Sequence, residues 1–158
     1  MLMLMHGKKG LNGDGRRLRW FLVPLLPRPP IVLDEELPVW KKLNVVGFLS
    51  SGIVSKNPNI IGQNYQDKSG VNYLPLCIQP IIVLKASRND LNKFSLRAKN
   101  RGVDIAVFID DMFTSGHDEA NRATVNQYHS DELPLVGIAI HEERKVIDKI
   151  LKGAKLQD

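Results

Sequence analysis

A chain of 158 residues is long enough for one domain with a sizeable core. Hydrophobic residues make up 43% and charged ones 25%, an ordinary globular balance, and no apolar run approaches the length of a membrane span. The net charge of +5 does not mark a nucleic-acid face. Residues 1–30 carry Lys8, Lys9, Arg16, Arg17, Arg19 and Arg28 against Asp14, while 31–158 balance 16 basic with 16 acidic side chains.

Residues 1–30 are rich in glycine and charge without periodicity. They are expected to be a disordered basic extension, dispensable for folding, ahead of a single α/β domain over 31–158. RWFLVPLL follows basic residues as an export signal would. Its apolar core is short, Pro24 interrupts it, and PRPP replaces a small-residue cleavage site, so the expected location is cytoplasmic. Ile31 to Leu33 reads as a strand cut short by Pro29 and Pro30, suited to a sheet edge rather than its centre.

DEELPVWKKLNVVGFLSSG (34–52) runs from a strand mouth into a helix with Pro38 as its first residue. Asp34, Glu35 and Glu36 lie beside the positive end of the helix dipole. Val39, Trp40, Leu43, Val46, Gly47, Ile53 and Val54 share one face, and Val45, Phe48 and Leu49 cover the other. This helix is therefore expected to be enclosed on all sides, with Gly47, Ser50, Ser51 and Gly52 admitting a neighbouring backbone. Lys41 and Lys42 oppose the dipole in the first turn, which singles them out as functional candidates against a reading as snorkelling surface lysines.

Asn57 and Pro58 end the helix. Tyr65 and Tyr73 then flank a hairpin turn over Asp67 to Gly70, and the strand-type run LCIQPIIVLKA becomes central from Ile81. Cys77 lies in that run, and as the one cysteine it excludes an intramolecular disulfide and a cysteine-based metal centre. RNDLNKFSLRAKNRG predicts an amphipathic helix with Leu91, Phe94 and Ala98 inward and Gly102 past its end. VDIAVFID is a buried strand delivering Asp110 and Asp111 into a loop. A short helix follows over Asp118 to Asn126, then the strand LPLVGIAI and the helix EERKVIDKILKG. Strands alternating with helices predict a three-layer α/β/α sandwich. GxGxxG and GxxxxGK[ST] phosphate loops are absent.

DEELPVWKKLNVVGFLSSG, LPLCIQP, FTSGHDEANRATV and LPLVGIAIHEERKVIDKILKGAKL resemble the family known as domain of unknown function 2000. That family looks like a relative of the archaeal and eukaryotic type of peptidyl-tRNA hydrolase, to which LVGIAI followed by VIDKILKGAKL is similar. The resemblance implies a small mixed sheet of about four strands between helical layers. Residue by residue, it points to Lys42, or Lys41, as the lysine at the first helix. Asp110 and Thr114 match an aspartate–threonine pair, and Ser130 stands in for a hydroxyl before the last strand. Those enzymes have a glutamine one turn after the lysine, where this chain has Val45 or Val46.

The expected catalytic set is thus Lys42, Asp110 and Thr114, and the expected ligand contacts are Lys41, Asn44, Asp111, Asn121 and His141. Each has a plainer reading: Asp110 or Asp111 as a turn cap, Asn44 as a buried anchor, Asn121 on a solvated helix face, His141 beside the last helix. His117, Asp118 and His129 lack metal-ligand spacing, so no metal and no cofactor are expected. The favoured function is binding of a small anionic or nucleotide-like ligand at the sheet edge, with little or no hydrolase activity. The alternatives are a peptidyl-tRNA hydrolase-like carboxylic ester hydrolase and a protein-interaction subunit. Expected partners are a small-molecule or tRNA-like ligand and a second copy in a homodimer, with no membrane.

Overall fold

The computed structural model describes residues 28–158. Along the chain run β1 (Pro30–Asp34), α1 (Val39–Lys56), a 3-10 turn (Pro58–Ile60), β2 (Tyr65–Gln66), β3 (Asn72–Tyr73), β4 (Ile82–Ala86) and α2 (Arg88–Lys99). They are followed by β5 (Ile105–Ile109), α3 (Met112–Ser115), α4 (Asp118–Val125), β6 (Leu135–Ile140), α5 (Arg144–Ile150) and β7 (Lys155–Leu156). The expectations for residues 1–27 lie outside the described residues.

The main sheet is mixed and has five strands in the order β5-β6-β1-β4-β7. β1 and β4 are parallel, β6 is antiparallel to both β1 and β5, and β7 is antiparallel to β4. It follows that β1, β4 and β5 all point the same way and end at one edge. The sheet is one strand larger than the family resemblance implied, because KL at 155–156 pairs with Leu84 and Lys85. β1 is also central rather than an edge strand. Pro30 is tolerated there because it is the strand's first residue, where a missing N–H interrupts little of the ladder.

Side chains alternate across β1, so the two faces of the sheet carry separate cores. Ile31 and Leu33 join Val45, Leu49 and Ile53 of α1, while Val32 joins Leu91, Phe94 and Ala98 of α2 and Ile150 of α5. The molecule is therefore layered helix, sheet, helix. Each α2 feature has a local cause. Ser87 caps the helix by accepting from the Asp90 N–H, and Gly102 takes the left-handed conformation (φ 64°) beyond its end.

α1 departs from the enclosed helix expected. Only Val45, Leu49 and Ile53, one i, i+4 row, are buried; Val39, Trp40, Leu43 and Phe48 are exposed. Among the described residues a single layer covers each face of this sheet, so the outer side of α1 meets no second one there. Two glycines seat its inner side. A Cβ on Gly137 of β6 would lie 2.6 Å from Val45 Cγ1 and 3.0 Å from Leu49 Cδ1, and one on Gly52 would lie 3.0 Å from Ala106 Cβ. Gly47, by contrast, has nothing within 4 Å of that position.

Candidate functional site

Three strand ends and two helix starts meet at the edge where β1, β4 and β5 finish. Asp34 ends β1 and is fully buried at 1% exposure. Its Oδ2 accepts from Arg88 Nε at 2.6 Å, and its Oδ1 accepts from the Glu36 N–H at 3.1 Å. Arg88, in the first turn of α2, also donates through Nη1 to Asp110 Oδ2 at 2.9 Å. Lys41 Nζ lies 3.8 Å from Asp110 Oδ1 and 4.1 Å above the Phe113 ring centre. Two carboxylates and two cations thus form a neutral chain across the sheet end. The bond from Asp34 holds the Arg88 guanidinium more firmly protonated than usual; burial opposes this and Asp110 reinforces it.

Beside this network a cleft of about 1100 Å³ opens between α1, β5, α3 and α4. A row of rings lines it. Trp40 packs edge-on against Phe113 (6.0 Å between centres), Phe113 leans on Phe108 (5.1 Å), and Phe108 meets Phe48 (5.4 Å). Asn44 and Asn121 contribute amides to the lining, with Ser115, His117 and Arg122 nearby. Asn121 Oδ1 accepts from the Ser115 hydroxyl, His117 Nδ1 caps α4 by accepting from the Ala120 N–H at 3.2 Å, and Arg122 pairs with Asp118. The arrangement offers an apolar wall of mutually tilted rings with amide groups along it, and Lys41 over Phe113 beside it.

The residues singled out in the sequence are distributed unevenly. Lys41 and Asp110 face each other, and Asn44 and Asn121 line the same cleft. Lys42 turns away and donates to the Glu35 carbonyl at 2.9 Å, since adjacent helical residues sit 100° apart. Thr114 donates to the Asp111 carbonyl within its own turn (3.0 Å), and Asp111 Oδ2 accepts from the Tyr128 hydroxyl at 2.7 Å. That bond pushes the Tyr128 phenol above its ordinary range. Ser130 accepts from Lys99 in the last turn of α2, at the end of that helix opposite Arg88.

His141 is separated from all of these. β6 runs antiparallel to β1, so its last residues arrive at the other edge of the sheet, where His141 lines a small cavity of about 100 Å³ with Pro29, Ile60 and Cys77. Among the described residues, no group of three or more His, Cys, Asp or Glu could hold a metal ion. None of their helices is long and apolar enough to cross a membrane.

Asp34 and Arg88 went unrecognised as site residues, although signals for both existed. Asp34 ends a strand as Asp110 follows one, and Arg88 is a cation in a helix's first turn, the same anomaly that marked Lys41. The ring row had no such signal, because Phe108 read as part of a buried strand and Phe113 drew no reading of its own.

Fold and site together define a three-layer α/β protein with a ring-lined cleft beside a charged strand edge. The family described as Protein of unknown function (DUF2000) matches residues 28–157, and the chain belongs to it. It is also similar to a solved structure of a protein of unknown function from Agrobacterium tumefaciens strain C58. Identity there is 42%, with 83% of this chain and 97% of the other covered and a TM-score of 0.81. No curated protein matches the chain.

Proposed function

We propose that the cleft binds a small nucleotide-like molecule, one that combines a flat ring with a carbonyl or anionic end. The observation that carries this reading is the row Trp40–Phe113–Phe108–Phe48 ending at Lys41. The exposed rings, Trp40 and Phe48 among them, with Phe108 buried beneath, can stack on a heterocycle without demanding a particular sequence of donors, at about 1–3 kcal/mol per base. Asn44 and Asn121 can each donate and accept, which suits the edge of such a ring. The 3.8 Å separation of Lys41 from Asp110 is longer than a hydrogen bond, so the ammonium donors remain available to a ligand's phosphate or carboxylate.

The second reading is ester hydrolysis of the peptidyl-tRNA hydrolase type, favoured by a partly exposed carboxylate, Asp110, beside Lys41. Two features weigh against it. Asp110 commits one oxygen to Arg88 and turns the other toward Lys41. Four residues after Lys41, where those enzymes carry a glutamine, stands Val45, fully buried against the sheet, so that position offers no donor for water or substrate. Losing one such donor costs about a hundredfold or more in rate.

Titration calorimetry with adenosine monophosphate and with adenosine tests the first reading. Wild type should bind both. Phe113→Ala should weaken each at least tenfold, and Lys41→Ala should weaken the monophosphate more than the nucleoside. No heat with either compound at millimolar concentration, or binding indifferent to both changes, would refute it. Rapid turnover of peptidyl-tRNA, abolished in both Lys41→Ala and Asp110→Asn and unaffected in Lys42→Ala, would install the hydrolase reading in its place.

A further inference from the structure

Twelve large hydrophobic side chains are exposed among the described residues, and ten of them lie on α1 or on the hairpin arm that follows it. On α1 these are Val39, Trp40, Leu43 and Phe48. On the arm they are Tyr65, Val71, Tyr73, Leu74, Leu76 and Ile78, and each of the ten is more than half exposed. The arm is a two-stranded ribbon joined to the body at its stem. Ile61 pairs with Cys77 there, and the Gly62 and Ile78 N–H groups donate to Leu76 and Ile60 carbonyls, both at 2.9 Å. Farther out its strands pack chiefly on each other. A lone hairpin is marginal in water, and one with Leu74 at 83% exposure gives up apolar burial it could otherwise have.

Charge is sparse in the same band, beyond Lys41 and Lys42 in the first turn of α1. The thirteen residues from Leu43 to Ser55 carry none, and from there to Leu84 only Lys56, Asp67 and Lys68 are charged. In a two-fold contact each surface meets its own copy, so charges near the axis would face like charges. A band with so few of them suits a second copy of itself and offers little to select a charged partner. The area fits as well. Four of the ten side chains are aromatic, of a kind that buries about 150–250 Å² each. With the six aliphatic side chains, the two exposed surfaces together offer area comparable to the roughly 800 Å² per partner of a standard interface.

We infer that the outer face of α1 and the 61–78 arm form an isologous interface with a second copy of this chain. Gly47, with open space over its Cα, and Ser51 beside it allow the partner's backbone to come close to α1. Trp40 belongs both to this face and to the cleft, so the partner also borders the cleft's α1 wall.

Sedimentation of the full chain over roughly 1–100 µM, far above typical standard-interface dissociation constants, tests the inference. Wild type should run at about twice the 17.8 kDa of one chain. Leu43→Glu on α1 and Leu74→Glu on the arm should each run as folded monomers, since neither side chain is buried within the subunit. Lys145→Glu on α5, in the opposite layer, should remain dimeric. The two variants lie on different elements, so misfolding of one leaves the other, with the wild-type mass, to decide. A wild-type monomer throughout would overturn the inference and leave the surface to a different protein or to residues 1–27. A dimer that survives both glutamates would overturn it too, placing the contact elsewhere.

Discussion

Asp34 is the only fully buried carboxylate among the described residues, and Arg88 is what makes its burial tolerable. Removing one partner of a buried pair costs about 3–5 kcal/mol, because the other is left charged and dry. Arg88 is half exposed, so water can partly replace it. Arg88→Met should therefore cost roughly 2 kcal/mol in a urea melt, and Asp34→Asn added to it should recover part of the loss. An unchanged midpoint in Arg88→Met would mean that the network does not hold the strand ends together.

Asp67 offers a pH readout in the arm. Its carboxylate accepts from the Val71 and Ser69 N–H groups and from the Tyr73 hydroxyl. The Val71 bond first, then the Tyr73 bond, hold it below the ordinary carboxylate range, and the same contact raises the Tyr73 phenol. A depressed acid contributes stability above its unfolded value and loses it as pH falls through the folded one. A raised phenol contributes below its unfolded value and loses it as pH rises through the folded one. The turn should therefore loosen below about pH 4 and again above about pH 10. Val71 and Ser69 amide shifts followed across that range should show both transitions; shifts flat from about pH 5 down to 2 would refute the acid limb.

α1 is held by one row of side chains on one face of the sheet. Leu49→Ala should cost about 2–5 kcal/mol, as for a buried leucine. In a dilute sample, where subunit contacts do not contribute, Leu43→Ala should stay within about 0.5 kcal/mol. Gly137→Ala should cost about 1–3 kcal/mol, because its methyl would enter the space of Val45 and Leu49. Chemical melts of the three variants check the ranking, and a Leu43→Ala as harmful as Leu49→Ala would restore the enclosed helix. The same one-sidedness places the cleft, since among the described residues the outer rings of α1 stay uncovered and no strand lies beyond β5.

In the assembled sheet, the last residues of the chain protect an edge. β7 pairs with β4, the Gln157 N–H donates to the Val83 carbonyl at 3.1 Å, and Asp158 pairs with Lys85. A chain ending at Ala154 would leave β4 as an open, apolar edge, a template for unwanted pairing. That truncation should lower the melting temperature and raise light scattering on heating; equal scattering from both forms would show that the edge needs no cover.

The α/β class, helices α1, α2, α4 and α5 with the strands between them, the Tyr65–Tyr73 hairpin and the Gly102 stop were legible in local pattern, whereas the turn of α3 (Met112–Ser115) read as a loop. Periodicity, turn chemistry and caps act over a few residues, and nothing distant overrode them here. The same patterns could not tell how many layers would cover a given helix. α1 is apolar nearly all round, and only the tertiary arrangement decides that Leu49 is buried and Leu43 is not. Strand order is equally nonlocal: β1 is central because β4 and β6 close on either side of it, whatever Pro29 and Pro30 suggest. Direction then sorted the candidate site. Parallel β1 and β5 bring Asp34 and Asp110 to one edge, antiparallel β6 carries His141 to the other, and a single 100° step around α1 turns Lys41 toward Asp110 and Lys42 away.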